Sequence, residues 1–193
     1  MLAKIAVLVS GGGTNLQALL DAQGKKLKHG EIKAVISNHE NAYALRRAEK
    51  YGVPAYTIKN ENEIIQIIEE NKIDLIILAG FLSILSKDFT KRYTNRILNI
   101  HPSLIPSFCG KGYYGLKVHE AALAYGVKIT GATVHFVNEI PDGGKIIDQK
   151  AVRVHKGDTP EKLQRRVMEK AEWILLPRAT EAVCKNILKE KTK

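Results

Sequence analysis

Lys4-Ile5-Ala6-Val7-Leu8-Val9-Ser10-Gly11-Gly12-Gly13-Thr14-Asn15 decides the fold. The apolar run from Ile5 to Val9 shows no polar alternation, the pattern of a strand covered on both faces in a parallel sheet. The glycines after it let the chain turn sharply into a first helix. Working outward, apolar runs recur at 32–36, 73–79 and 97–100. Helical patterns stand between them. Residues 42–50 stop at Tyr51-Gly52 with Pro54 just beyond, and 61–70 set Ile64, Ile65, Ile67 and Ile68 on one face. Such alternation predicts an α/β fold, a doubly wound and mostly parallel sheet with right-handed crossovers. After residue 126 the period changes to two. Residues 128–137 and 145–154, joined by Pro141-Asp142-Gly143-Gly144, predict an antiparallel C-terminal extension of that sheet. Thr159-Pro160 supplies a cap and a first-turn proline for a closing helix. Its apolar stripe is Leu163, Val167, Ala171, Ile174 and Leu175, and Pro177 is expected to kink or interrupt it.

Residues 1–193 read as one domain, long enough for a full core. A hydrophobic share of 45% and a charged share of 26%, without repeats or low-complexity tracts, exclude a disordered or fibrous chain. No apolar run approaches membrane-spanning length, and the N-terminus enters a strand at once, without the regions of a signal peptide. A cytoplasmic protein with no membrane partner is expected. Cys109 and Cys184 lie far apart and lack ligand spacing, so neither a disulfide framework nor a metal site is expected. The net charge of +10 is spread along helix faces, with no RNA-binding aromatic signature and no zinc-finger spacing. Its densest run, Lys185 to Lys193, reads as a solvated helix end. Anionic small substrates account for the balance equally well.

Asn99-Ile100-His101-Pro102-Ser103-Leu104-Ile105-Pro106 carries the chemistry. Residues at i and i+2 of a strand share a face, so Asn99 and His101 can converge on one small object. An amide N–H beside an imidazole can hold an oxygen that turns negative as a carbonyl becomes tetrahedral, and the imidazole can move a proton. The plainer alternative is a satisfied polar pair before a rigid turn. Asp142, in the glycine-rich turn, is either a turn former or a third member of this group. Placed beside His101, its charge would favour the imidazolium and raise the histidine pKa.

The Ser10-to-Asn15 loop invites an anion, because glycines let backbone amides approach it and a helix N-terminus attracts negative charge. A tight turn capped by Thr14 or Asn15 is the alternative. Leu16 stands where a dinucleotide fingerprint needs its third glycine, Ser37-Asn38 stands where an acidic ribose partner would be, and no Walker Lys-Ser/Thr follows. A monophosphate therefore fits better than NAD or ATP.

Ser10 to Gln17, Ala79-Gly80-Phe81, the Asn99-to-Pro106 run, Gly131 to Val137 and Asp142-Gly143-Gly144, in this order and spacing, resemble the phosphoribosylglycinamide formyltransferases, the folate-dependent enzymes of purine synthesis. The resemblance runs from the first strand to the last helix. It implies a Rossmann-like formyltransferase fold over the whole chain and transfer of a formyl group from 10-formyltetrahydrofolate to the amine of phosphoribosylglycinamide. No metal, a monomer or homodimer, and no covalent intermediate on the enzyme belong to the same expectation. Carried over residue by residue, it makes Asn99, His101 and Asp142 catalytic and puts Gly13, Thr14 and Asn15 on the ribose phosphate. Glu172 falls at the glycinamide end. Leu82, Ser83, Ile84 and Leu85, with Asn99, Asn138, Glu139, Ile140, Pro141 and Asp142, fall around the folate. His119 and His135 match family histidines outside the catalytic set.

This sequence also departs from the family. Ser83 replaces the usual arginine, and a short 56–73 segment leaves only Lys59 as a substitute for the residue that receives the folate glutamate tail. Phe108 to Gly115 lengthens a loop beside the reacting centre, as a lid or merely as a longer surface loop. A methionyl-tRNA formyltransferase would carry a further C-terminal barrel after residue 193, and a formyltetrahydrofolate hydrolase a second histidine at Pro102. A noncatalytic phosphate-binding module would need the glycine loop but not Asn99, His101 and Asp142 together.

Overall fold

A computed structural model describes residues 1–192. The elements follow in the order β1 (Ala3–Val9), α1 (Thr14–Ala22), β2 (Gly30–Ser37), α2 (Tyr43–Lys50), β3 (Ala55–Thr57), α3 (Glu61–Glu70) and β4 (Leu75–Leu78). Then come α4 (Lys87–Arg92), β5 (Ile97–His101), α5 (Leu116–Tyr125), β6 (Ile129–Phe136), β7 (Ile146–Arg153), α6 (Pro160–Val167) and α7 (Trp173–Lys191). The strands form one seven-stranded sheet in the order β3-β2-β1-β4-β5-β6-β7. β1 to β5 are mutually parallel, and β6 and β7 extend the sheet antiparallel to their neighbours. The doubly wound reading and its antiparallel extension both match this topology. β3 and α4 were not expected. Three residues after Pro54 are too short to carry a period, and the α4 turn owes its start to Ser86, whose hydroxyl accepts from the Phe89 amide.

The unbroken apolar β1 run follows from cover on both faces. Ala3, Ile5, Val7 and Val9 belong to one core with α1, α2, α5, α6 and α7, while Ala6 and Leu8 belong to a second core under α3 and α4. Ile64 and Ile68 of α3 and Phe89 of α4 fill that second core. The glycine loop leaves β1 at the point where the strand order reverses between β1 and β4, the usual ligand crevice of such sheets.

The closing helix differs from its expectation in register. Between α6 and α7, Met168–Glu172 form a π-helical turn, which winds one extra residue into the run. The buried face therefore shifts from Leu163, Val167 and Ala171 to Glu172, Leu175, Leu176 and Ala179. Ile174, assigned to the stripe on straight α-helical spacing, is 44% exposed. Pro177 does not end the helix, which continues to Lys191. The tail is also less free than expected. Lys191 donates to Asp74 Oδ1 at 2.6 Å, while Lys193 lies outside the described residues. Among the described residues no helix is long and apolar enough to cross a membrane.

Phe89 is 1% exposed and is the largest fully buried side chain among the described residues. Phe89→Ala should cost about 3 to 5 kcal/mol in chemical denaturation, as truncation of a buried aromatic does. A loss under about 1 kcal/mol would contradict the packing described.

Candidate active site

His101 ends β5, and Asn99 lies two residues before it on the same face. β6 pairs antiparallel with β5 and sets His135 directly opposite Asn99. The 138–144 turn that follows β6 brings Asp142 back over them. Asp142 adopts a left-handed φ of 56°, which an aspartate tolerates better than most residues. Gly144 two residues on has no alternative, since a Cβ there would lie 1.7 Å from the Phe136 carbonyl oxygen. Asn99, His101 and Asp142, from two separate parts of the chain, are thus brought together.

The contacts assign hydrogens. Asn99 Nδ2 lies 3.1 Å from His135 Nε2 and 3.3 Å from Asp142 Oδ1. His135 Nδ1 is 2.8 Å from the Phe136 carbonyl, which only accepts, so Nδ1 carries the proton and Nε2 accepts from Asn99. The same argument puts the His101 proton on Nε2, 2.9 Å from the Phe108 carbonyl. His101 Nδ1 then faces Asp142 Oδ2 at 3.5 Å. A second proton taken up at Nδ1 would complete an ion pair with that carboxylate.

Burial of His101 lowers its pKa below the ordinary 6.5, although Asp142 pulls the other way. The expected rise is therefore corrected: Asp142 does favour the imidazolium, but desolvation outweighs it and the net shift is downward. For Asp142, burial raises the carboxyl, yet the contact with His135, the charge of His101 and the amide of Gly110 outweigh it and the net shift is downward. His119, fully buried behind His101, has no partner for either ring nitrogen among the described residues. Burial, and to a lesser extent His101, lower it to about 4.

The long loop belongs to the cluster. The Phe108 carbonyl accepts from His101, and the Gly110 amide donates to Asp142 Oδ2 at 2.8 Å. The stretch just before it is pinned from β6 and β7. Thr133 Oγ1 donates to the Ser103 carbonyl at 2.7 Å and accepts from the Ile105 amide at 3.1 Å. Gln149 Nε2 donates to the Ile105 carbonyl at 3.1 Å.

The glycine loop sits two strands away, about 10 Å at the usual strand spacing. Gly13 has φ 70°, and a Cβ there would meet the Ala44 Cβ at 2.6 Å. No side chain caps α1, so neither Thr14 nor Asn15 takes the capping role and the first amides stay available to an anion. Asn15 Nδ2 instead donates to Glu172 Oε2 at 2.7 Å, and the π turn is what rotates Glu172 inward. Burial pushes the Glu172 carboxyl up to about 7. Arg47, which sequence reasoning passed over, donates to the Gly12 carbonyl at 2.8 Å and to Gln17 Oε1 at 2.9 Å, and so braces the loop.

The segments expected around a folate lie on the surface. Leu82, Ile84 and Ile140 are exposed, while Leu85 packs on the second core. Lys87, the first residue of α4 just beyond the 82–85 loop, pairs with Glu139 of the 138–141 turn at 3.2 Å. Leu82 is anchored to the glycine loop by its amide, which donates to Ser10 Oγ at 2.9 Å. Ser83, where the family's arginine was expected, accepts from Asn38 Nδ2 at 2.8 Å. Lys59 is exposed and forms no ion pair among the described residues.

Known proteins share this fold. The chain is 40% identical over 173 residues to phosphoribosylglycinamide formyltransferase of Escherichia coli, covering 85% of this chain and 79% of that one. It is 44% identical over 189 residues to the trifunctional purine biosynthetic protein adenosine-3 of Gallus gallus, covering 93% of this chain but spanning only 18% of that protein. The solved phosphoribosylglycinamide formyltransferase of Anaplasma phagocytophilum superposes with a TM-score of 0.89 at 37% identity, covering 96% of this chain and 89% of that one. The formyl transferase family matches residues 3–180, so the chain belongs to it.

Proposed function

We propose that this chain, as one formyltransferase domain, transfers a formyl group from 10-formyltetrahydrofolate to the amine of 5-phosphoribosylglycinamide in de novo purine biosynthesis. The observation that carries the reading is the meeting of Asn99, His101 and Asp142 at the end of β5, within about 10 Å of an uncapped helix N-terminus. The ribose phosphate sits on the amides of Gly13, Thr14 and Asn15, and Glu172 holds the sugar-amide end. The pterin end of the folate lies between the 82–85 loop and the 138–141 turn, with Asn99 and Asp142 at its formyl end.

The substrate amine attacks the formyl carbon, and the carbonyl π electrons move onto oxygen. Asn99 Nδ2–H stabilises that oxyanion, joined by His101 once its ring is protonated. Because burial favours its neutral form, His101 can accept the proton that the attacking nitrogen sheds, with Asp142 holding the resulting imidazolium. Collapse of the tetrahedral centre breaks the bond to N10 of the folate, and the proton passes to that nitrogen, directly or through water. Formylated amine and tetrahydrofolate leave, and no enzyme group is bonded covalently at any stage.

His101→Ala and Asp142→Asn should each lower kcat by about 10²- to 10⁴-fold with little change in KM, the mark of a lost proton-transfer group. Following tetrahydrofolate release with and without the amine substrate checks this and separates transfer from hydrolysis. Full turnover in His101→Ala, or release independent of the amine, would contradict the reading. Glu172 gives a stability prediction. Its folded pKa of about 7 exceeds the ordinary 4.5, so folding favours the protonated form. That contribution is complete below pH 4.5 and is lost as pH rises through 7. Thermal denaturation should therefore find Glu172→Gln more stable than the parent protein at pH 8, with the gap narrowing towards pH 5. An equal gap at both values would contradict burial of an ionisable carboxyl.

A further inference from the structure

A groove of about 900 Å³ runs between α1 and α7, with Thr14 and Arg47 of the glycine-loop region in its lining and none of Asn99, His101 and Asp142. From Gln17 to Ala22 it follows about 8 Å of the α1 axis, and it continues to the turn that carries Lys25. Its floor is apolar, built from Ala18 and Ala22 of α1 and Pro177 of α7. One end is walled by Trp173, the only tryptophan in the chain, whose indole N–H has no partner among the described residues. The other end is rimmed by Lys25, Lys26 and Lys28, all exposed and none in an ion pair among the described residues.

The acids that line the groove offset those lysines only in part, Asp21 carrying its charge close to Lys25. Glu181 is occupied by His29 and by the backbone amides of Lys28 and His29 at 2.8 and 2.9 Å. Asp21 is bound to Tyr51 and Gln17. Arg178, also on the rim, is paired with Asp148. What remains is an aromatic wall, an apolar floor and a cluster of exposed ammonium groups at the far end. A planar ring stacks on the first and phosphate oxygens suit the last.

We infer that this groove binds a nucleoside phosphate, base against Trp173 and phosphates on Lys25, Lys26 and Lys28, at a site separate from the catalytic cluster. A single aromatic wall in a groove of this length suits one nucleotide rather than a strand, which needs successive stacking platforms. The occupant would lie one residue from Glu172, whose hydrogen bond to Asn15 shapes the glycine loop. The site is therefore placed to alter binding of the ribose phosphate.

The sole tryptophan makes the test direct. AMP, ADP and inorganic phosphate are titrated into the full chain while Trp173 fluorescence and binding heat are recorded. A nucleotide should give a saturable response with Kd of about 1 mM or tighter, and inorganic phosphate should give none. The double variant Lys25→Glu/Lys26→Glu should weaken it at least tenfold, as loss of charge-assisted contacts requires, without changing basal turnover. Asn15→Ala should leave it in place. Several results would overturn the inference: no saturable signal in either readout, the same signal from phosphate alone, preference for an oligonucleotide over the mononucleotide, or a response lost in Asn15→Ala yet kept in the lysine variant.

Discussion

One buried carboxylate organises the catalytic end of this molecule. Asp142 lies 3.3 Å from the Asn99 amide nitrogen, 3.5 Å from His101, 3.6 Å from His135 and 2.8 Å from the Gly110 amide. An acid that is only 13% exposed bears a desolvation cost, and its interactions with His135, His101 and the Gly110 amide outweigh it and favour the ionised form. Its left-handed backbone and the glycines beside it are the local conditions for the turn that delivers it. The carboxylate contacts β5, the end of β6 and the long loop, so the shape of the site and its charge balance rest on the same group.

The surrounding fold fixes where those donors stand. β5 and β6 pair with Asn99 opposite His135, which makes the amide orientation a property of sheet register. A slip of one residue would send Asn99 and His101 to the other face. On the far side of the switch point, the π turn does comparable work in a helix. One additional residue turns Glu172 from the solvent side towards Asn15, and the apolar stripe rotates with it. The two halves of the proposed substrate site are thus set by backbone register, one in a sheet and one in a helix.

Much of this was legible from residue order alone. The β1 run, the glycine loop and the switch to period two after residue 126 were sufficient for the topology, because burial on both faces, tight turns and pleating each leave a distinct periodicity. The convergence of Asn99 with His101 was legible for the same reason. Three things were not. The π turn leaves no periodic trace until the helix is seen whole, which is why Ile174 was placed on the wrong face. The sign of the His101 shift depends on how deeply the ring is buried, a sum over many neighbours that no short motif encodes. The part played by the 108–110 backbone arises from a carbonyl and an amide, groups that every residue carries. His135 could have been recognised, since pairing the 128–137 strand against 97–100 sets it close to Asn99.

The central claim is that His101 and Asp142 act as one unit on one reacting carbon. A double-mutant cycle measures that unity directly, through kcat for the parent protein, His101→Ala, Asp142→Asn and the double variant. If the carboxylate works through the imidazole, the double variant should lose about as much turnover as His101→Ala alone. Losses that multiply would mean two independent contributions and would contradict the account.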